Sequence, residues 1–271
     1  MRQPYTSHRI HSDRAIFQLL SSTLIFWNIF LSLIVPVEAS NNFPLQQASI
    51  TFPPTEDRGA PARTRGSANR GSCSEAQAIT TQENASSTPL TALMPDNNVG
   101  TTLSPNPAVY LYVPETSGQS AEFTLYNWTQ RQRKPLYEVK VPLQQRPGIV
   151  KVSIPKNLAL EPQNTYAWVF SVICNAENRS QDQSVSGWIE RIALPLEQQA
   201  SIDQLTQPLE RANRYAAAGI WYETLAIAEE LRTSQPKSWE GLLDSVGLSH
   251  LAKHRVVECC QNQIGHRSQL K

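Results

Sequence analysis

Charge is the first scarcity in this sequence. Of 271 residues only 17% are charged, against about 25% in an average soluble domain, and 24 Lys+Arg face 23 Asp+Glu for a formal net charge of +1. Nucleic-acid binding rests on neutralising phosphates, so this balance gives no electrostatic case for DNA or RNA. Glycine is scarce too, with 11 residues against 19 prolines. The glycines are too dispersed for a phosphate loop or a dinucleotide fingerprint, and the proline excess suits a loop-rich β protein better than a helical bundle. Histidine is missing from the whole stretch 90–193, since the five lie at His8, His11, His250, His254 and His266. A Ser/His/Asp or Cys/His nucleophile in that stretch would lack its imidazole base.

What is present starts with an address. Arg2, His8, Arg9, His11 and Arg14 precede an almost wholly apolar run from Ala15 to Val37, followed by the small-residue site Val37-x-Ala39. That layout is a secretory signal peptide over residues 1–39. The rival reading is a retained N-terminal anchor. The 17 residues from Leu19 to Val35 sit at the short edge of what spans a bilayer, and Ser21, Ser22, Thr23 and Asn28 weaken them. Either reading places the rest of the chain outside the cytoplasm, periplasmic or extracellular, with membrane contact only if the segment is retained.

Residues 40–89 read as an arm. Pro44, Pro53, Pro54 and Pro61 exclude a long helix, and the Arg63-Thr64-Arg65-Gly66 and Arg70-Gly71-Ser72-Cys73 units are expected to lie on a domain edge. Residues 90–193 carry seven strand-like runs: Leu90–Met94, Ala108–Val113, Ala121–Tyr126, Leu136–Val141, Ile149–Ile154, Tyr166–Ile173 and Val185–Ala193. Their spacing and turn punctuation predict an antiparallel, Ig-like β-sandwich, with the two-sided apolar run Tyr166–Ile173 at its centre. From 195 to 253 the period lengthens. Ala212, Tyr215, Gly219, Trp221, Leu231 and Pro236 trace one tetratricopeptide-like helix–turn–helix, with Thr224 where a small residue is expected. A solenoid needs about three such units, so one hairpin is expected to dock onto the sandwich. Residues 254–271 read as a disordered tail. The fold class is therefore mostly β with α: the sandwich, then a small C-terminal helical hairpin.

Four cysteines remain in the exported part. A Cys73–Cys174 bridge is expected, closing a loop of about 100 residues worth roughly 4–5 kcal/mol; the alternative is two separate buried thiols. Cys259 and Cys260 are adjacent, where a mutual bridge is strained, and are expected to be free or tail-linked. His250-x-x-x-His254 near those cysteines is the one metal-like arrangement, and it reads as a solvated helix end. No metal or cofactor is expected. Among the carboxylates of the β region, Glu190 alone lies between large apolar neighbours, Trp188 and Ile192, on one strand face. An ion pair with an arginine of a neighbouring segment fits it better than catalysis, although paired acids beside an exposed tryptophan are what a glycoside hydrolase needs. Trp168 and Trp188 read as strand core, Trp221 and Trp239 as helix core, and Trp128 as the exposed one. Asn84, Asn127 and Asn178 each open an N-glycosylation triplet, a pattern common by chance.

Taken together, Asp57-Arg58-Gly59-Ala60-Pro61, Arg70-Gly71-Ser72-Cys73, Tyr110-Leu111-Tyr112-Val113-Pro114, Phe170-Ser171-Val172-Ile173-Cys174, Gly187-Trp188-Ile189-Glu190-Arg191 and Tyr215-Ala216-x-x-Gly219-Ile220-Trp221-Tyr222 resemble the cyanobacterial exported proteins that carry the domain of unknown function 928. The resemblance spans about residues 50–250. It implies no activity and no catalytic residue. It does imply that Cys73 and Cys174 occur together, and that Asp57, Arg58 and Gly59 belong with the Trp188, Glu190 and Arg191 strand in one domain. The expectation is an exported, non-catalytic binding or cell-envelope interaction module whose partner is a protein or an envelope component. The alternatives are a carboxylate-dependent cell-wall hydrolase and a membrane-anchored structural protein.

Overall fold

Alternation of apolar and polar residues sets most of the strands. In a computed structural model, residues 49–58, 73, 88–131, 134–144 and 146–259 are described; the leader, most of the arm, Gly59, Cys260 and the end of the tail lie outside them. The strands are β1 (Thr91–Ala92), β2 (Val99–Thr102), β3 (Ala108–Val113), β4 (Ser120–Asn127), β5 (Tyr137–Pro142), β6 (Gly148–Ser153), β7 (Asn164–Ile173), β8 (Gln183–Arg191) and β9 (Val256–Cys259). They form a four-stranded sheet, β1-β3-β6-β9, and a five-stranded sheet, β2-β8-β7-β4-β5. The protein is thus mixed α/β and mostly sheet.

All seven expected runs are strands, and the run Tyr166–Ile173 does sit centrally, flanked by β4 and β8. Its inward residues Tyr166, Trp168, Phe170 and Val172 are each no more than 2% exposed, and alternate positions of both sheets enter one buried cluster. Two expectations need correction. The sheets are not purely antiparallel: β2 runs parallel to β8, and β9 parallel to β6. Parallel neighbours need long connections, and both pairs have them, since the two partners of each pair are separated by most of a sheet or by the helices. The tail is also shorter than expected, because Val256 and Val257, both β-branched, extend the small sheet beside Ile149 and Val150.

Among the described residues four α-helices lie between β8 and β9: α1 (Leu196–Asp203), α2 (Pro208–Ala217), α3 (Trp221–Leu231) and α4 (Pro236–Ser245). Proline opens α2 and α4, where its missing N–H costs nothing. Gly219 and Gly247 close α2 and α4 with φ near +71°; the following amides reach back, Ile220 N–H to Tyr215 O and Leu248 N–H to Leu243 O, which makes both turns Schellman caps. Thr224 is fully buried, and its hydroxyl bonds the Ile220 carbonyl at 2.6 Å, so the larger residue fits at the turn. Among the described residues no helix is long and apolar enough to cross a membrane.

The near end of the arm is packed in. Ile50 and Phe52 are buried, and Phe52 meets the Trp221 ring edge-on at 5.0 Å. Cys73 and Cys174 form a disulfide with Cα atoms 4.9 Å apart. Cys259 is also disulfide-bonded, which settles against a free thiol there; its partner lies outside the described residues.

Candidate functional site

The outward face of the larger sheet gathers most of the residues singled out from the sequence. Along β8, Val185, Gly187 and Ile189 point into the core, so Ser186, Trp188 and Glu190 point out. Gly187 is required at its place: a Cβ there would stand 2.6 Å from the Trp168 ring. The register then fixes the neighbours. Ala167 of β7 and Val99 of β2 flank Trp188, while Thr165 and Thr101 flank Glu190. Trp188 is therefore a half-buried face residue and not strand core, which corrects the expectation. Alternation dictates it, because a residue next to the inward Gly187 and Ile189 has no route to the interior.

Trp128 follows β4 directly and is held by its backbone N–H on Thr165 O at 2.9 Å. Its ring lies 5.6 Å from that of Trp188, tilted by 35°, and the residue is 52% exposed. Two indoles thus share one surface, the outer one half in water. Asn127, just before it, is buried and accepts the Gln130 N–H, so that triplet offers no accessible amide.

Beside this pair, Arg58 Nη1 stands 2.6 Å from Glu190 Oε2. The ion pair expected of Glu190 is present, and its arginine comes from the arm. Asn97 Nδ2 also donates to Glu56 O at 2.9 Å, and Arg191 Nη1 donates to Leu160 O. Arg58 is therefore brought against the strand of Trp188, Glu190 and Arg191, while Asp57 before it is exposed; Gly59 lies outside the described residues. A pair with one half-exposed partner has little net worth. A double-mutant cycle of Arg58→Ala and Glu190→Ala, read by urea denaturation, is expected to give a coupling of about 0.5–1 kcal/mol. Coupling above about 3 kcal/mol would mean the pair is far better shielded than this.

Two of the other carboxylates, Glu122 and Asp182, are engaged elsewhere. Arg179 binds Glu122 at 2.8 Å and Asp182 at 2.5 Å, and both partners hold its guanidinium protonated more firmly than usual. His254 does not share a helix face with His250; its ring packs on Tyr112 at 4.6 Å. Among the described residues no group of three or more His, Cys, Asp or Glu is placed to hold a metal ion.

One feature escaped the sequence. A cavity of about 410 Å³ opens between α2, α3 and the side chains of β3, β6 and β9 that face them. Glu223, in the first turn of α3, lines it. Its Oε1 accepts from Thr102 Oγ1 at 2.7 Å, Leu103 N at 2.9 Å and Ser104 N at 2.8 Å, and its Oε2 is buried without a partner among the described residues. Burial pushes the carboxyl above its ordinary value, the hydrogen bonds opposing. Tyr110, on the cavity floor, is 1% exposed with an unpartnered hydroxyl. Burial, then Glu229, Glu230 and Glu258, drive its ionisation far up. The only local signal was a glutamate three residues into a helix, which reads as ordinary first-turn charge.

A sheet-rich α/β protein with a disulfide-held arm and an open aromatic face is the class defined by these features. Its family follows: the chain belongs to the Domain of Unknown Function (DUF928) family, whose model matches residues 62–256. No curated protein and no solved structure matches the chain.

Proposed function

We propose that the protein is an exported, non-catalytic module that binds a saccharide component of the cell envelope through the outward face of its five-stranded sheet. The Trp128–Trp188 pair carries this reading. Indole faces pack on the apolar faces of sugar rings, and a half-exposed tryptophan braced by a second ring keeps its orientation without ligand. The register sets Thr165 beside Glu190, two positions along β8 from Trp188, and an open sheet face suits an extended chain of sugars better than a single small molecule. Glu190 is the acid nearest in sequence to the pair, and its engagement by Arg58 supports recognition over hydrolysis. In this reading the two sheets close as an Ig-like sandwich, modified by two parallel edge strands, and α2 with α3 forms a single tetratricopeptide-like hairpin. The apolar leader and the disulfide support an oxidising, periplasmic or extracellular location.

The test is co-sedimentation of the purified protein with insoluble envelope polysaccharide, alongside an assay for released reducing ends. Trp128→Ala is expected to weaken binding about tenfold, which corresponds to about 1.4 kcal/mol, and to leave thermal stability unchanged. Equal binding by the variant overturns the sheet-face reading. Reducing ends that appear with the wild type and vanish in Glu190→Gln replace it with the hydrolase.

A further inference from the structure

We propose that a second cavity, at the edge of the small sheet where the β5–β6 connection passes β9, binds a short alkyl carboxylate. Arg146 and Arg255 hold the anionic head, and the valines of the small sheet take the hydrocarbon. The volume is about 260 Å³, below the roughly 300–1,000 Å³ of drug-sized sites, which suits one short chain and excludes a two-chain lipid. The cavity shares no residue with the tryptophan face and stands without it.

Three observations choose the chemistry. The first is unpaired charge within a ligand's reach. Arg146 and Arg255 both border the cavity and both are exposed. Among the described residues neither guanidinium has a carboxylate partner, and Arg255 donates to the amide oxygen of Gln144. A forked guanidinium takes a carboxylate through two parallel hydrogen bonds. Glu258 also borders the cavity, but the alternation of β9 turns its side chain to the other face. There it stands in register with Lys151, whose ammonium meets Glu229 of α3, and its charge is felt at Tyr110. The second observation is the floor. Val113, Val150 and Val257 lie on the face of the small sheet turned away from the helices, and Leu143 joins them from just beyond β5. Leu143, Val150 and Val257 are half-buried, so a hydrocarbon placed there removes apolar surface from water. The third is that Arg255 is positioned by the chain itself. Its carbonyl accepts the Ile149 N–H at 2.8 Å. Its side chain runs beside Gly148, where a Cβ would stand 3.6 Å from Arg255 Cγ and 3.8 Å from Nε. A cation held in this way loses less freedom when a ligand binds.

Simpler ligands answer only half of this lining. An inorganic anion would meet the arginines and leave the valines in water, whereas an alcohol would cover the valines and leave the charge unmatched. An alkyl carboxylate does both. Each methylene brought out of water is worth about fourfold in affinity, so head and chain contribute separately and can be measured separately.

Titration of the intact oxidised protein with sodium hexanoate, followed by amide chemical shifts, tests the proposal. Acetate, inorganic phosphate and hexan-1-ol are titrated in parallel. Saturable shifts are expected at Gly148, Val150 and Val257, with none at Trp128. Hexanoate should bind at least tenfold tighter than acetate, phosphate or hexan-1-ol. Arg146→Gln changes an exposed side chain and should fold; it is expected to weaken hexanoate binding at least fivefold, and Arg255→Gln to do the same. Should Arg255→Gln not fold, the Arg146→Gln result decides alone. Trp128→Ala should leave hexanoate binding unchanged, which separates this site from the sheet face. Absence of shifts at millimolar hexanoate, acetate or phosphate or hexan-1-ol binding as tightly, undiminished binding in Arg146→Gln, or loss of binding in Trp128→Ala overturns it.

Discussion

Replacing Cys73 and Cys174 together by alanine is expected to lower stability by about 2–5 kcal/mol, one of the two largest effects foreseen for a change outside any binding site. The bridge spans 101 positions, and on the chain-entropy account a loop of that size restrains the unfolded ensemble by about 4.7 kcal/mol. Both half-cystines make further contacts. Cys73 is 5% exposed and its carbonyl accepts the Ser117 N–H at 3.1 Å. Cys174 ends β7, and its N–H reaches Asp182 Oδ1 at 3.2 Å; the same carboxylate is held by Arg179, which also grips Glu122 of β4. Removing the bridge therefore frees a length of arm while the strand end keeps its own contacts. The loss should appear as a lower midpoint in guanidinium with an intact sheet signal, and as a fall in Tm of roughly 5–20 °C for a chain of this size. Wild-type protein treated with reductant should lose at least as much as the double variant, since the bridge of Cys259 opens too. A midpoint that moves by less than about 1 kcal/mol would mean the arm is held without the bridge.

The large sheet was legible because its strands obey one rule. β4, β7 and β8 alternate buried and surface residues with period two, and that pattern can be seen without knowing any neighbour. β2 and β9 hide for the same reason in reverse. Val99–Thr102 contains Gly100 and two threonines, and Val256–Cys259 is four residues long; each is a strand only because a longer partner lies beside it. Parallel pairing is equally invisible locally, since it depends on where the chain returns after the intervening elements. Gly100 shows how tertiary contact overrides local preference: a Cβ there would stand about 3.1 Å from Trp221 Cδ1 and closer still to the Tyr222 ring, so a residue poor for strands is the one that lets α3 approach.

The sites divide along the same line. Glu190 was noticeable because a carboxylate sat between two large apolar residues, and an arginine partner followed from the cost of leaving it bare; that the partner is Arg58 was not legible, since the resemblance put the two segments in one domain without pairing them. Trp188 was misplaced because size suggested core, whereas the strand's alternation, visible from Val185, Gly187 and Ile189, put it outside. Glu223 had no such signal. Its burial comes from three donors 119–121 residues away in the chain, and no pattern within α3 announces them.

Trp221→Ala is the second large effect, expected to cost about 3–5 kcal/mol. The indole is fully buried at the first position of α3 and touches three separate parts of the chain. Its Nε1 donates to Leu93 O at 3.1 Å, its ring takes the edge of Phe52, and it lies against Gly100. Truncation opens a large cavity, strands the Leu93 carbonyl, and removes the surface on which the arm's Phe52 rests, so the costs of burial and of a lost hydrogen bond combine. Trp221→Phe refills much of the volume without the donor and is expected to cost about 1–3 kcal/mol. Gly100→Ala approaches the same junction from the sheet side; the added methyl collides with the Tyr222 ring, and overpacking of this kind costs about 1–3 kcal/mol. Chemical denaturation ranks the three, and limited proteolysis gives the discriminating readout, because Trp221→Ala alone should expose the segment around Phe52 to early cleavage under native conditions. If that segment stays protected while stability drops, the arm is anchored by the Ser245 hydroxyl, which receives the Phe52 N–H at 3.0 Å, and Trp221 serves the helix–sheet contact only.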